Sequence, residues 1–432
     1  MTHADFNGDL LDFLQQSPTP FHAVANLAAR FEQAGYLRLN ESEHWTLAAN
    51  SGYYVLRNDS AFIAFHTGSA NLLEHGIRLA GTHTDSPCLK LKPSPVLCRQ
   101  RYVQLGVEVY GGALLHPWFD RDLSLAGRVT YQTNDKRVSS ALIDLKEPIA
   151  FIPSLAIHLD REVNEGRPVN RQQELPPVIL QVKEGAQFDF EQFLLDLLRS
   201  QSGHADATRI LSHELLLYDT QPPALVGLER QFIASARLDN LLSCYTAASG
   251  LLQGAGAHAS VLVCNDHEEV GSASTSGAQG PFLRSVLERL VASTSSEQDA
   301  FDRVIHHSLM LSIDNAHGVH PNYSDKHDEQ HRPLLNGGPV IKVNANQRYA
   351  SNSESIARFK AVCESAQVPH QAFVMRSDLA CGSTIGPLTA TELGITTVDI
   401  GLATFGMHSI RELAGANDPE LMSRVVTAFY AR

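Results

Sequence analysis

The sequence predicts an α/β protein, a mixed and largely parallel sheet flanked by helices, with an inserted β-rich domain. Three observations predict it. After Gln231 the chain alternates strand-like and helix-like segments, from about Pro93 to Glu229 it has a different, strand- and proline-rich texture, and 432 residues exceed what one core usually fills. The expected division is a main domain of residues 1–92 plus 231–432 and an insertion of residues 93–230.

The segments "DLLDFLQQ" and "FHAVANLAARFEQAG" read as helices, the second because Phe21, Val24, Leu27, Ala28 and Phe31 recur on one face and Gly35 stops it. "YYVLR" and "AFIAFH" form a hairpin through Asn58 and Asp59, and "GIRLAG" is a short apolar strand running into "THTDSPCLKLKP". In the insertion, "YVQLGVEVYGG", "LAGRVTYQT" and "SSALIDL" are strands and "FEQFLLDLLRSQ" a helix, with Pro148, Pro153, Pro168, Pro176, Pro177, Pro222 and Pro223 in the connections. Beyond it, strands "ASVLVC", "SLMLSI", "PVIKVN", "QAFVMR" and "ITTVDI" alternate with helices "DNLLSCYTAASGLLQ", "GPFLRSVLERLVAS", "SESIARFKAVCESA", "TIGPLTATELG" and "ELMSRVVTAFYA". Ser351 and Glu354 have the spacing of a capping box. Alternation of this kind implies parallel strands covered by helices.

Composition narrows the function. A net charge of -13 without any long cluster of Lys and Arg excludes a phosphate-tracking surface, so no nucleic-acid partner is expected. The N-terminal stretch lacks the basic and apolar regions of a secretory signal, and no window approaches the ~18 apolar residues of a membrane span. A soluble, cytoplasmic protein without a membrane partner is the expectation. The six cysteines, Cys88, Cys98, Cys244, Cys264, Cys363 and Cys381, include no CxxC pair. They are read as small buried residues in a reducing compartment rather than disulfides or thiolate ligands. Twenty histidines hint at metal chemistry.

Functional groups in an open α/β sheet gather at the carboxyl ends of its strands. "IRLAG" leads to His83 and Asp85, "SVLVCN" to Glu268 and Glu269, "LMLSI" to Asp314, and "TTVDI", after a short loop, to His408. Asp239 in "ASARLDNLL" opens a helix, where its alternative role is an N-cap. A site of two His and three carboxylates without Cys suits Zn²⁺, Mn²⁺ or Co²⁺, and it has ligands enough for two ions.

The motifs "GTHTDSPCLKLKP", "SARLDNLLS", "NDHEEVGS", "DNAHGVHPNYSDKH", "GGPVIKVNANQRYA", "RSDLACGSTIGP" and "MHSIREL", in that order over practically the whole chain, resemble the M18 metallo-aminopeptidases, the aspartyl aminopeptidase group. The resemblance implies a zinc-aminopeptidase-like catalytic domain with two divalent ions per subunit, Zn²⁺ first and Mn²⁺ or Co²⁺ as alternatives. It implies that His83 and Asp314 hold one ion, Glu269 and His408 the other, and that Asp239 bridges both. Asp85 resembles the carboxylate that orients the His83 imidazole, and Glu268 matches the family's general base. Physically, two divalent ions ~3.5 to 4 Å apart acidify a shared water and polarise a peptide carbonyl, and a carboxylate that is not a ligand must carry the proton to the leaving amine. Adjacent residues on an extended segment point to opposite sides, so a division of labour between Glu268 and Glu269 is expected.

The resemblance also implies peptide substrates with an acidic first residue. Lys342, with apolar neighbours on both sides in "PVIKVN", matches the family's lysine, and a chain of net charge -13 needs such a local cation to attract an acidic side chain. Tyr349, in the same motif, and His317, in "HGVHPNYSDKHDEQH", are expected on the substrate side, with His320, His327 and His331 in surface roles. In "CGSTIGP", Gly382 and Ser383 either cap a helix or help its N-terminus hold an anion or carbonyl. The insertion has the family's dimerisation domain as counterpart, which implies a homo-oligomer built from dimers, commonly a dodecamer. His158 in "IPSLAIHLDRE" resembles the histidine that reaches a neighbouring subunit's site; its alternative is a buried histidine on an alternating strand. The competing functions are a di-metal carboxypeptidase or deacylase, which needs an arginine such as Arg237 or Arg376 for the α-carboxylate, and a non-catalytic scaffold, which needs a missing ligand. Deaminase chemistry lacks its Cys-rich motif.

Overall fold

The structure, a computed structural model, describes residues 3–201 and 203–432. It has two compact units. The first takes the chain up to Ser86, Pro223–Met407 and Glu412–Arg432, and the second takes Pro87–Pro222 and His408–Arg411.

The first unit is built on a nine-stranded sheet. Its centre is parallel: Ala259–Asn265, Ile77–His83, Leu309–Ile313 and Thr396–Gly401 lie side by side. Ala259–Asn265 and Leu309–Ile313 are buried along their whole length, as expected for strands covered on both faces. Leu262, Leu311, Ile313, Val398 and Ile400 join one apolar cluster with helices Pro20–Gln33, Leu238–Gly254 and Asp418–Tyr430. Leu79, Val261, Val263 and Met310 join another with helices Phe282–Ala292 and Ala300–His307. The latter helix, in "DAFDRVIHH", was not expected from the sequence.

Flanking strands make the sheet mixed. Val340–Val343 runs antiparallel to Thr396–Gly401 and parallel to Gln371–Val374. The hairpin Gly52–Arg57/Ala61–His66 turns through Asn58, Asp59 and Ser60, the first two left-handed at φ 55 and 53. A five-stranded sheet of Ala224–Val226, Phe232–Ser235, Glu412–Gly415, Ala403–Phe405 and Ala316–His317 completes the unit.

The second unit has a six-stranded sheet in the order Val138–Asp144, Leu123–Thr133, Ala207–Asp219, Cys88–Arg99, Tyr102–Tyr110, Val178–Gln181, all antiparallel. Leu89, Leu105, Leu125, Val129 and Leu215 face a core that also takes Leu194 and Leu198 of helix Phe190–Ser200. His158 lies in an exposed turn of this unit, not on a strand, beside exposed Leu155, Ile157 and Leu159.

Local expectations are corrected in several places. Helix Ser353–Ala366 is capped by Asn352, which exchanges hydrogen bonds with Ser355; the cap lies one residue beyond Ser351, whose hydroxyl instead accepts from the Asp399 amide at 2.9 Å. Helix Ile385–Leu393 is capped by Thr384, not by Gly382 or Ser383, and Ser383 Oγ donates to the Arg348 carbonyl. All six cysteines are free, but only Cys244, Cys264 and Cys363 are buried. Cys98 is exposed because the far end of its long strand extends beyond the core. Among the described residues no helix is long and apolar enough to cross a membrane.

Candidate metal centre

Strand register brings the candidate ligands level. Asn265 pairs with His83, and Ser312 lies between Gly81 on one side and Asp399 on the other. Two residues beyond Ser312, Asp314 therefore emerges beside His83. In that position His83 Nε2 lies 3.5 Å from Asp239 Oδ1 and 3.6 Å from Asp314 Oδ1. Its other nitrogen, Nδ1, is 3.0 Å from the Asp85 carbonyl and 3.4 Å from Asp85 Oδ1. Imidazole orientation is thus set from one side and its lone pair aimed from the other.

Asp85 is fully buried and does more than orient the ring. Its two carboxylate oxygens accept the amides of Glu268 and Glu269, each at 3.1 Å. These glutamates do not sit on an extended segment: Glu268–Val270 is a short 3-10 turn entered through His267 in the left-handed region, φ 63. Asp266 Oδ1 accepts the His267 amide at 2.8 Å and the imidazole lies 2.9 Å from Ser274 Oγ, so both residues shape the turn. The separation between Glu268 and Glu269 comes from the turn, not from strand alternation.

Asp239 is buried and is not the helix cap. Its backbone, at φ -85 and ψ 103, is non-helical, and Arg237 precedes the helix in the left-handed region. The Asp239 amide donates to Glu412 Oε2 at 2.9 Å, and the Asp239 carbonyl accepts from Ser86 Oγ at 2.5 Å. Asn240 Nδ2 donates to the Ile313 carbonyl at 2.9 Å, which ties this segment to the strand that delivers Asp314. Glu412 and Ser86 lie inside the quoted "MHSIREL" and "GTHTDSPC" runs, but nothing in their spacing marks them as partners of Asp239.

The electrostatics are those of a cation site. Burial, with the charges of Asp314, Asp239 and Asp85 around it, pushes the Glu268 carboxyl up to about 7 despite His83 nearby. Burial and Asp239 raise Glu269 well above the carboxylate range. Burial disfavours a charged His83, yet hydrogen bonds to Asp239, Asp314 and Asp85 outweigh it and raise its pKa well above normal. Too many carboxylates share too little water, and a divalent ion would balance such a cluster. The donor set fits one: His83, Asp239 and Asp314 offer ligand atoms within 4.8 Å of one another, as do His83, Glu268 and Glu269. Ligands bound at ~2.0–2.1 Å with tetrahedral angles are roughly 3.3 Å apart, close to the His83–carboxylate distances.

A family model described as "Aminopeptidase I zinc metalloprotease (M18)" matches residues 13–430. The chain belongs to the M18 family. The "Probable M18 family aminopeptidase 2" of Pseudomonas aeruginosa (strain UCBPP-PA14) is 58% identical over 430 residues, 99% of this chain and 98% of the relative. A chain solved in the "Ape4 and Nbr1 complex" has a TM-score of 0.95 at 38% identity, over 99% of this chain and 86% of its own. The "S. cerevesiae mApe1 dodecamer" has a TM-score of 0.86 at 27% identity, over 99% and 96%. This M18 chain is therefore an aminopeptidase of a metalloprotease family, with the α/β fold the sequence predicts.

The other residues that the sequence of this M18 chain offered as candidates lie at several places in the fold. Lys342 is buried, with Nζ 3.3 Å from Asp314 Oδ2 and 3.2 Å from the Asn315 carbonyl. Tyr349 is buried with its ring 5.1 Å from that ammonium. His317 is half-buried, its ring 5.7 Å from Phe373, and burial together with Lys342 lowers its pKa. His320, His327 and His331 are each half-buried, His327 against Phe373. His408 is left-handed at φ 68 and falls in the segment that groups with the second unit, where Nδ1 is 3.2 Å from the Gly112 carbonyl. The two arginines that a carboxypeptidase could use are both engaged. Arg237 donates to the Ser17 and Leu14 carbonyls, and Arg376 is ion-paired with Asp378.

Proposed function

We propose that this M18 aminopeptidase works with two divalent ions, Zn²⁺ first, and removes acidic N-terminal residues from peptides. The observation that carries the reading is the convergence of His83, Asp239 and Asp314 on one buried point, beside a turn whose two glutamate amides are gripped by Asp85. In this reading His83 and Asp314 hold one ion, Glu269 and His408 the other, and Asp239 is shared. When bound, the pair supplies Lewis acidity to the scissile carbonyl and acidifies the attacking water.

The protein's own groups do the rest. Glu268 takes a proton from the attacking water on its carboxylate and returns it to the leaving amine, a role suited to a carboxyl whose surroundings raise its pKa toward neutrality. Asp85 keeps Glu268 and Glu269 apart by holding their amides and keeps the His83 Nε2 lone pair forward. Lys342 has three N–H bonds; Asp314 and Asn315 take two, and a third is left for a substrate carboxylate. Tyr349 and His317, close to Lys342 and Phe373, line the same side. The second unit serves dimer-based assembly, up to a dodecamer like that of the yeast relative, and His158 reaches a neighbouring subunit's site.

The test is a panel of N-terminal aminoacyl chromogenic substrates, assayed with metal-free protein reloaded with Zn²⁺, Mn²⁺ or Co²⁺. Metal-dependent release is expected, fastest from Asp and Glu. No release from any substrate with any ion would sink the reading, and equal rates for Asp, Glu and Ala would remove the acidic preference alone.

A further inference from the structure

The geometry points to Lys342 as the positioning residue that presents Asp314 to the metal centre through a single oxygen. It rests on the reading of Asp314 as a ligand. Lys342 sits on strand Val340–Val343, 1% exposed, among the largest fully buried side chains of the protein. A buried ammonium is costly unless it is paired, so its partners indicate its role.

One neighbouring carboxylate is already committed. Ile341 pairs with Ile400 in an antiparallel register, which brings Lys342 level with Asp399 on the adjoining strand. Asp399 Oδ1 accepts from Ser312 Oγ at 2.7 Å and Thr384 Oγ1 at 2.6 Å, and Oδ2 accepts the Ala350 amide at 2.6 Å. The ammonium instead donates to Asp314 Oδ2 and to the carbonyl of the next residue, Asn315, at 3.3 and 3.2 Å. Binding both groups of one turn makes the cation move with that turn.

The consequence is a division of the Asp314 carboxylate. Oδ2 faces Lys342, while Oδ1 lies 3.6 Å from His83 Nε2, on the side where the ligand atoms gather. A lysine on one oxygen opposes two-oxygen coordination and fixes the plane of the group, the service that hydrogen-bond partners behind a ligand perform in metal sites generally. The Tyr349 ring, 5.1 Å from Nζ, restrains the ammonium further.

The experiment measures Zn²⁺ affinity of the full chain by chelator competition for the parent protein, Lys342→Met, Lys342→Gln, Lys342→Arg and Asp314→Asn. Circular dichroism of the metal-free forms, and kcat and KM on Asp-, Glu- and Ala-terminated substrates, accompany it. Positioning predicts that Lys342→Met and Lys342→Gln fold but bind one ion roughly 10–100-fold more weakly, with kcat lowered on the Ala-terminated substrate as well as on the acidic ones and largely restored in Lys342→Arg. Should Lys342→Met not fold, the Lys342→Gln comparison decides. Affinity within about twofold of the parent for the neutral variants, while Asp314→Asn binds weakly, overturns the proposal. A loss confined to acidic substrates at unchanged affinity also overturns it and leaves Lys342 as a reader of substrate alone. Unchanged affinity in Asp314→Asn would fail the ligand reading itself, and the positioning role with it.

Discussion

Glu268 and Glu269 are neighbours of one residue type whose amides share one acceptor, Asp85, at equal distances. Chemistry must therefore separate them through what their carboxyl groups meet. In Glu268→Gln we expect both ions to be retained and kcat to fall by roughly 10²–10⁴-fold, the usual worth of a general base. In Glu269→Gln metal affinity itself should fall; metal content by atomic emission beside kcat distinguishes the two, and equal metal loss in both variants would contradict the assignment. The raised pKa values give a second expectation. A carboxyl or imidazole held above its usual range keeps its proton to a higher pH than usual in the metal-free protein, and a ligand must shed that proton to bind. Zn²⁺ binding should thus release protons at pH 7, with affinity falling as the pH is lowered. Calorimetry in buffers of different ionisation enthalpy measures this; zero release would refute it. The identities of these residues were legible in the sequence because each follows an apolar strand. The cause of their separation was not, since strand and 3-10 turn are indistinguishable in "NDHEEVGS" until Asp85 closes on the amides.

Strand ends carry the centre, so small changes there act on it. Gly401 ends strand Thr396–Gly401, and a Cβ at that position would come 1.9 Å from the Asp314 carbonyl oxygen. Gly401→Ala must therefore displace the Asp314 backbone. We expect about 1–3 kcal/mol of destabilisation from the overpacking, with weaker Zn²⁺ binding. Denaturant unfolding of the metal-free variant and chelator competition check both parts; unaltered affinity would mean that the strand end tolerates the shift. At this scale the sequence revealed the parallel centre through the alternation of strand-like and helix-like segments after Gln231. It did not reveal that Val340–Val343 enters antiparallel, nor the five-stranded sheet of short segments, because direction and pairing are set by distant partners rather than by local pattern.

Assembly is the question for the whole molecule. The second unit exposes Leu155, Ile157 and Leu159 at 57, 48 and 74% around His158, an apolar stretch that an isolated chain would leave in water. The expected outcome is a solution mass that is a multiple of 47.2 kDa by light scattering. If His158 acts in a neighbour's site, a mixture of His158→Ala with Glu268→Gln, assembled together, should recover activity that neither variant has alone. A monomeric mass, or no rescue in mixed assemblies, would refute the shared site.

The sequence by itself determined the fold class, the family and the identities of the metal-capable residues. These depend on apolar periodicity and on motifs contiguous in the chain. Only the tertiary structure decided how those residues are used. Register set His83, Asp239 and Asp314 around one point, Asp85 took both glutamate amides, Glu412 and Ser86 fixed the Asp239 backbone, and Lys342 was turned onto Asp314. The physical reason is that hydrogen bonds and ion pairs among buried groups join positions far apart in the chain, as from Asp85 to Glu269 or from Asp239 to Glu412. A linear pattern supplies the groups, and only the packed sheet sets the distances between them.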